Sequence, residues 1–149
     1  MTNRFELHPR LQQDCIAIGR FELCRLLMMN DQHYPWFILV PERADLRECY
    51  QLAKPERALL CEESCYLAEN LARLYHADKM NIAAIGNLVP QLHIHHIVRY
   101  QTDPAWPAPV WGFAPALPHT AQQINGHLAL LRDGLPHCRF DGSFGQPDA

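Results

Sequence analysis

Over the nine residues Gln91-Leu92-His93-Ile94-His95-His96-Ile97-Val98-Arg99, polar side chains alternate with apolar ones. Successive side chains of a β-strand point to opposite faces. Gln91, His93, His95 and Arg99 then share one surface, and Leu92, Ile94, His96 and Val98 the other. Two imidazoles and an amide on one side can do chemistry. A neutral imidazole serves as nucleophile, proton carrier or metal ligand near neutral pH, and an amide supplies both a donor and an acceptor. The commonest role of a strand histidine is packing. His96, which points with Leu92 and Ile94, fits that role as a core-side or interface residue. Metal binding by His93, His95 and His96 is the other rival, yet no HExxH, CxxC or carboxylate stands nearby at ligand spacing to complete a zinc site. No metal and no cofactor is called for.

The elements that must present this strand are readable from periodicity. In residues 55–76, Leu59, Leu60, Leu67, Leu71, Leu74 and Tyr75 recur three to four apart behind Pro55, which predicts the main helix. A shorter helix is expected at 45–52. Apolar runs at 21–29 and 36–40 predict antiparallel strands joined by the polar turn Asn30-Asp31-Gln32-His33, and residues 80–85 a further strand that turns through Gly86-Asn87 into the histidine strand. Residues 5–19 form a lead-in with little periodicity and room for a short helix. Between 103 and 118 repeated prolines forbid a regular ladder, leaving an irregular arm with Trp106, Trp111 and Phe113. These aromatics could stack on a nucleotide base, although packing on the domain or a second subunit is the commoner fate. Residues 120–134 predict a last helix, and a loose end follows. Strands on both sides of a central helix point to an α+β fold, with an antiparallel sheet, in one domain spanning 1–149 with its core at about 20–100.

Composition agrees. Hydrophobic residues make up 48% and charged residues 19% of the 149, a globular balance. A net charge of −3 offers no basic footprint for stable nucleic-acid or membrane binding, while a small nucleotide stays compatible. The longest apolar stretch, 36–40, is too short to span a bilayer, and residues 1–20 lack a signal-peptide core, so a cytoplasmic location is expected. The six scattered cysteines are expected as free thiols, with Cys61 and Cys65 sharing a helix face as packing residues.

The spacing around the histidines resembles the signature of the histidine triad (HIT) family, His-φ-His-φ-His-φ-φ with φ apolar, with Gln91, His93 and His95 in its three positions. Arg99 also fits. Gly86-Asn87-Leu88-Val89-Pro90 resembles the family's phosphate-contacting segment before the triad, and Asn30, Pro35 and residues 37–41 its asparagine, proline and hydrophobic strand. The arm is similar to the tail of a bacterial subgroup. Two departures stand out: glutamine replaces the first histidine, and the usual Pro-Gly-His reads Pro35-Trp36-Phe37, which loses a histidine near the phosphate.

The resemblance implies a nucleotide hydrolase or nucleotidyltransferase that cleaves a phosphoanhydride or phosphoramidate bond. His93 would attack phosphorus to give a nucleotidyl-histidine. His95, the Asn87 side chain and backbone N–H groups near Gly86 would hold the phosphoryl oxygens, Gln91 would orient the site, and Asn30 would help bind the nucleotide. Dinucleoside polyphosphates or aminoacyl nucleotides are candidate substrates by analogy. A homodimer is expected from the family's usual assembly and from the apolar arm. The alternatives are a catalytically degenerate nucleotide-binding module and the His-rich metal-binding protein.

Overall fold

The strand β3, Trp36–Pro41, is buried along its whole length. An unbroken apolar run of this kind belongs to a strand covered on both faces. Phe37 and Leu39 enter a core with Leu67 and Leu71 of the long helix, Lys54–Tyr75, whereas Trp36, Ile38 and Val40 join Ala105 and Val110 of the arm on the other side. This computed structural model describes residues 3–142.

Around β3 lie β1 (Cys15–Arg20), β2 (Cys24–Met29), β4 (Lys79–Ala83), β5 (Ile94–Arg99) and β6 (Arg139–Phe140). They form one antiparallel sheet in the order β4-β5-β3-β2-β1-β6. With the short helix α1 (Pro9–Asp14), the long helix α2 (Lys54–Tyr75) and α3 (Ala121–Gly134), the expected α+β architecture is what the chain adopts.

Helix α2 forms where the periodicity places it, with Pro55 in its first turn and Leu60, Glu63, Leu67 and Leu71 turned inward. The one charged member of that stripe has a structural task. Glu63 accepts hydrogen bonds from the backbone N–H of Leu23 at 3.0 Å and of Cys24 at 2.9 Å, fastening the start of β2 to the helix. Helix α3 begins with a reciprocal cap between Thr120 and Gln123 and buries Leu128 and Leu131.

Four features differ from expectation. Residues 15–20, read as part of an unpatterned lead-in, are β1: Ile16 and Ile18 alternate correctly, but Gly19 and the adjoining bulge obscure the period. The end of the described chain is not loose through 140, because Leu135 and Cys138 are buried and β6 pairs with Gly19 and Arg20. Only glycine permits that pairing so close: a Cβ on Gly19 would lie 2.3 Å from the Arg139 carbonyl oxygen. The rest of the expected loose end, 143–149, lies outside the described residues. The helix expected at 45–52 reduces to a 3₁₀ turn at Cys49–Gln51. Cys61 and Cys65 share a face of α2, but it is the exposed one, and all six cysteines are free.

The arm is bound to its own domain by Arg99, which is 1% exposed. Its guanidinium donates to both Asp103 carboxylate oxygens at 2.8 and 3.0 Å, to Asn81 Oδ1 at 2.8 Å and to the Ala108 carbonyl at 2.8 Å. The rings of Tyr34 and Trp106 flank it. Asp103 in turn accepts from the backbone N–H of Tyr100 and Trp106, so one ion pair folds the first turn of the arm. Among the described residues no helix is long and apolar enough to cross a membrane.

Candidate active site

The triad segment bends before it becomes a strand. β5 begins at Ile94, paired with Leu39, and ahead of it the Leu92 N–H leaves the ladder to bond the Leu46 carbonyl. Alternation therefore holds for His95, Ile97 and Arg99 on one face and Ile94, His96 and Val98 on the other, but it does not extend to Gln91. The Gln91 amide instead accepts from the His8 N–H at 2.9 Å and donates to the Glu6 carbonyl at 2.9 Å. It ties down the N-terminal segment, and among the described residues it makes no hydrogen bond to either imidazole.

His93 and His95 are brought together. Their rings lie 4.9 Å apart at 70°, and both side chains are buried. His93 Nδ1 is 2.7 Å from the Gln91 backbone carbonyl, which can only accept, so Nδ1 carries the proton and the Nε2 lone pair of a neutral ring is left for other work. Trp36 Nε1 donates to His95 Nδ1 at 2.9 Å, and Trp111 from the arm stands edge-on to His95 with centroids 5.2 Å apart.

Both histidines open on a cavity of about 420 Å³ lined by Leu11, Met29, Trp36, Ile85, Val89 and Trp111, with Gly86 and Asn87 at one side and Arg10 and Asp14 at another. A second, more polar hollow of about 410 Å³ lies against the other side of His93 and is lined by Arg47, Glu48, Tyr50, Gln51 and Gln91. Gly86 and Ile85 border both spaces. Gly86 takes φ +68° there, a conformation that costs other residues about 1–2 kcal/mol. Gly86→Ala is accordingly expected to lower the urea-unfolding free energy by about that much and to displace Asn87; an unchanged midpoint would contradict this.

Asn30 does not line this cavity. Its side-chain oxygen accepts from the His119 N–H at 2.8 Å, anchoring the segment ahead of α3 to the end of β2. His96, on the helix side, bonds Ser64 Oγ at 2.7 Å through Nε2 and the Ile94 carbonyl through Nδ1. It therefore cannot converge with His93 and His95 on one ion, and among the described residues no group of three metal-binding side chains gathers. Trp36, with Leu11 and Met29, joins the site unassigned by the sequence reading, and Trp111, offered there only as a base-stacking candidate of the arm, stands against His95. An indole immediately before the buried β3 run was a signal for Trp36, whereas nothing local shows where an irregular arm returns.

Burial, then the neighbouring imidazoles of His93 and His96, push the His95 pKa down to about 3, and burial pushes His96 down to about 4. Both values fall below the ordinary 6.5, so the unfolded chain binds protons first as pH drops. Stability should be full above about pH 6.5 and decline from there toward pH 4. Urea midpoints at pH 7.5 and 5 measure this, and a midpoint that rises on acidification would contradict it.

Known proteins share this fold. A family model described as the HIT domain matches residues 10–102. The chain belongs to the HIT domain family. Among solved structures, a histidine triad protein from Marinobacter aquaeolei VT8 shares 47% identity at a TM-score of 0.89, covering 92% of this chain and 100% of that one. A histidine triad protein from Bradyrhizobium japonicum shares 41% at 0.87, covering 89% and 99%. A third, from Sinorhizobium meliloti 1021, shares 43% at 0.86, covering 88% and 97%. No curated protein matches the chain.

Proposed function

We propose that this protein is a nucleotide hydrolase or nucleotidyltransferase that acts through a nucleotidyl-His93 intermediate, within a bacterial HIT subgroup carrying glutamine at the first triad position. The observation that carries the reading is the arrangement of His93: its Nδ1–H is held by the Gln91 carbonyl, and the ring borders an open, largely apolar cleft beside a second imidazole. An in-line nucleophile needs that fixed orientation. His95 and the polar groups at Gly86 and Asn87 would face the phosphoryl oxygens, where charge develops. The apolar walls suit a nucleobase. Gln91 serves the reaction through its backbone carbonyl, and Asn30 acts indirectly by fastening the rim. One domain suffices for all of this.

The assembly proposed is a homodimer, by the family's usual habit. Ala105 and Val110 of the arm are buried against the chain's own sheet, but Phe113 and Leu117 stay half exposed, as does Ile82 on the open edge of β4, so the arm and that edge are both candidate surfaces. Incubating the protein with adenosine nucleotides, with and without chelator, tests the function. Turnover that survives chelation supports it. Tight binding without turnover would favour a degenerate binding module instead.

A further inference from the structure

Trp36 stands where the sequence departs from the pattern it resembles, and its indole N–H points at His95 Nδ1 from 2.9 Å. An indole nitrogen only donates, so Nδ1 must accept and the single proton of a neutral His95 resides on Nε2. The ring has little freedom to do otherwise. Trp36 and Trp111 bracket it with centroids at 5.6 and 5.2 Å, and the two indoles meet edge to face at 5.8 Å.

We propose that Trp36 is a positioning residue that holds His95 as a neutral Nε2–H donor, and that this makes the site selective for leaving groups that depart as anions. The inference rests on the function proposed above. It deepens that reading by choosing phosphoanhydrides and acyl-phosphate anhydrides over phosphoramidates. A neutral imidazole donates a hydrogen bond but has no proton to give away at neutral pH, and burial of His95 keeps the second proton off its ring. Among the described residues no unpaired acid lines the cavity beside it. Asp14 is, among the described residues, the one carboxyl lining that space, and it is paired with Arg10 at 2.8 Å, while Glu48 belongs to the hollow on the other side of His93.

The chemistry balances without an acid when the leaving group is an oxyanion. The His93 Nε2 lone pair forms the N–P bond as the P–O bond breaks, and that electron pair leaves on a phosphate, polyphosphate or carboxylate oxygen. The Nδ1 proton stays on the ring against the Gln91 carbonyl, and the His95 N–H faces a non-bridging oxygen. In the second step water adds to phosphorus, the N–P pair returns to Nε2, and the proton of water passes to solvent. An amine would have to leave as an amide anion unless something protonated it, and among the described residues the lining offers no unpaired acid to do so.

Two measurements test this. In ¹⁵N-labelled wild-type protein, scalar coupling across the Trp36 Nε1–H···His95 Nδ1 hydrogen bond and a pyridine-type Nδ1 shift are expected. A pyrrole-type Nδ1 shift would overturn the proposal with no reference to any substrate. Turnover of adenosine 5′-diphosphate and of adenosine 5′-phosphoramidate is then compared. The diphosphate should be favoured in kcat/KM by about a hundredfold or more, and Trp36→Phe, which keeps an aromatic ring but loses the N–H, should narrow that ratio by about tenfold. A merely structural role for Trp36 would lower both rates and leave the ratio alone, overturning the proposal. Equal rates in wild type would overturn it as well, even if Trp36→Phe fails to fold. If neither compound turned over while the expected tautomer was observed, the function proposed above would fall together with the leaving-group selectivity, and the tautomer assignment would stand.

Discussion

His93→Ala lowers the rate of nucleotide turnover by at least about a thousandfold, while the protein remains folded and retains most of its nucleotide affinity. The expectation follows from what His93 contacts. Among the described residues its one hydrogen bond runs to the Gln91 backbone carbonyl, and its ring faces a cavity, so deleting it removes a nucleophile with modest loss of packing. Circular dichroism, binding titration and steady-state rates check the three parts separately. A variant with near wild-type kcat would remove His93 from the mechanism.

The largest effect on stability is expected at the ion pair that binds the arm. Arg99 and Asp103 side chains are 1% and 3% exposed, so Asp103→Asn or Arg99→Ala leaves a charge or its polar neighbours buried without compensation, at a cost of about 3–5 kcal/mol. Replacing both partners by apolar residues of similar size removes the stranded charge but still strands Asn81 Oδ1, the Ala108 carbonyl and the Tyr100 and Trp106 N–H groups, so it should cost less than the sum of the two single losses without restoring stability. Burial alone would raise the Asp103 carboxyl; the Arg99 hydrogen bonds, then the N–H groups of Tyr100 and Trp106, more than offset it and hold its pKa below the usual 3.8. A depressed carboxylate contributes fully above its unfolded value, so this anchor is intact above about pH 4 and is lost as pH falls further. Because the arm carries Trp111 to His95, activity should fall with stability in the single variants. Urea denaturation of the four proteins measures the cycle, and a loss below about 1 kcal/mol for Asp103→Asn would contradict the buried-pair account.

What could be read from the sequence was local and periodic. The spacing of Leu60, Leu67 and Leu71 declared α2, the β2–β3 hairpin was marked by its polar turn, and the apolar-polar alternation placed His95 opposite His96. What escaped depends on distant residues. β1 hides behind a glycine bulge, β6 is two residues held only by their partners, and the bend at Leu92 arises from a bond to Leu46 in another loop. For the same reason alternation misassigned Gln91: its face is set by Glu6 and His8, more than eighty positions away. Asn30 likewise has its side chain taken by His119.

The central claim is covalent catalysis at His93. Mixing enzyme with limiting adenosine nucleotide, quenching within the first turnover and analysing the peptides by mass spectrometry looks for the intermediate itself. The expected result is a nucleoside monophosphate adduct on His93, formed and lost at rates compatible with turnover and persisting in Gln91→Ala, whose backbone carbonyl still holds the ring. Turnover at the full rate with no adduct at any time, or an adduct confined to His95, would contradict the account.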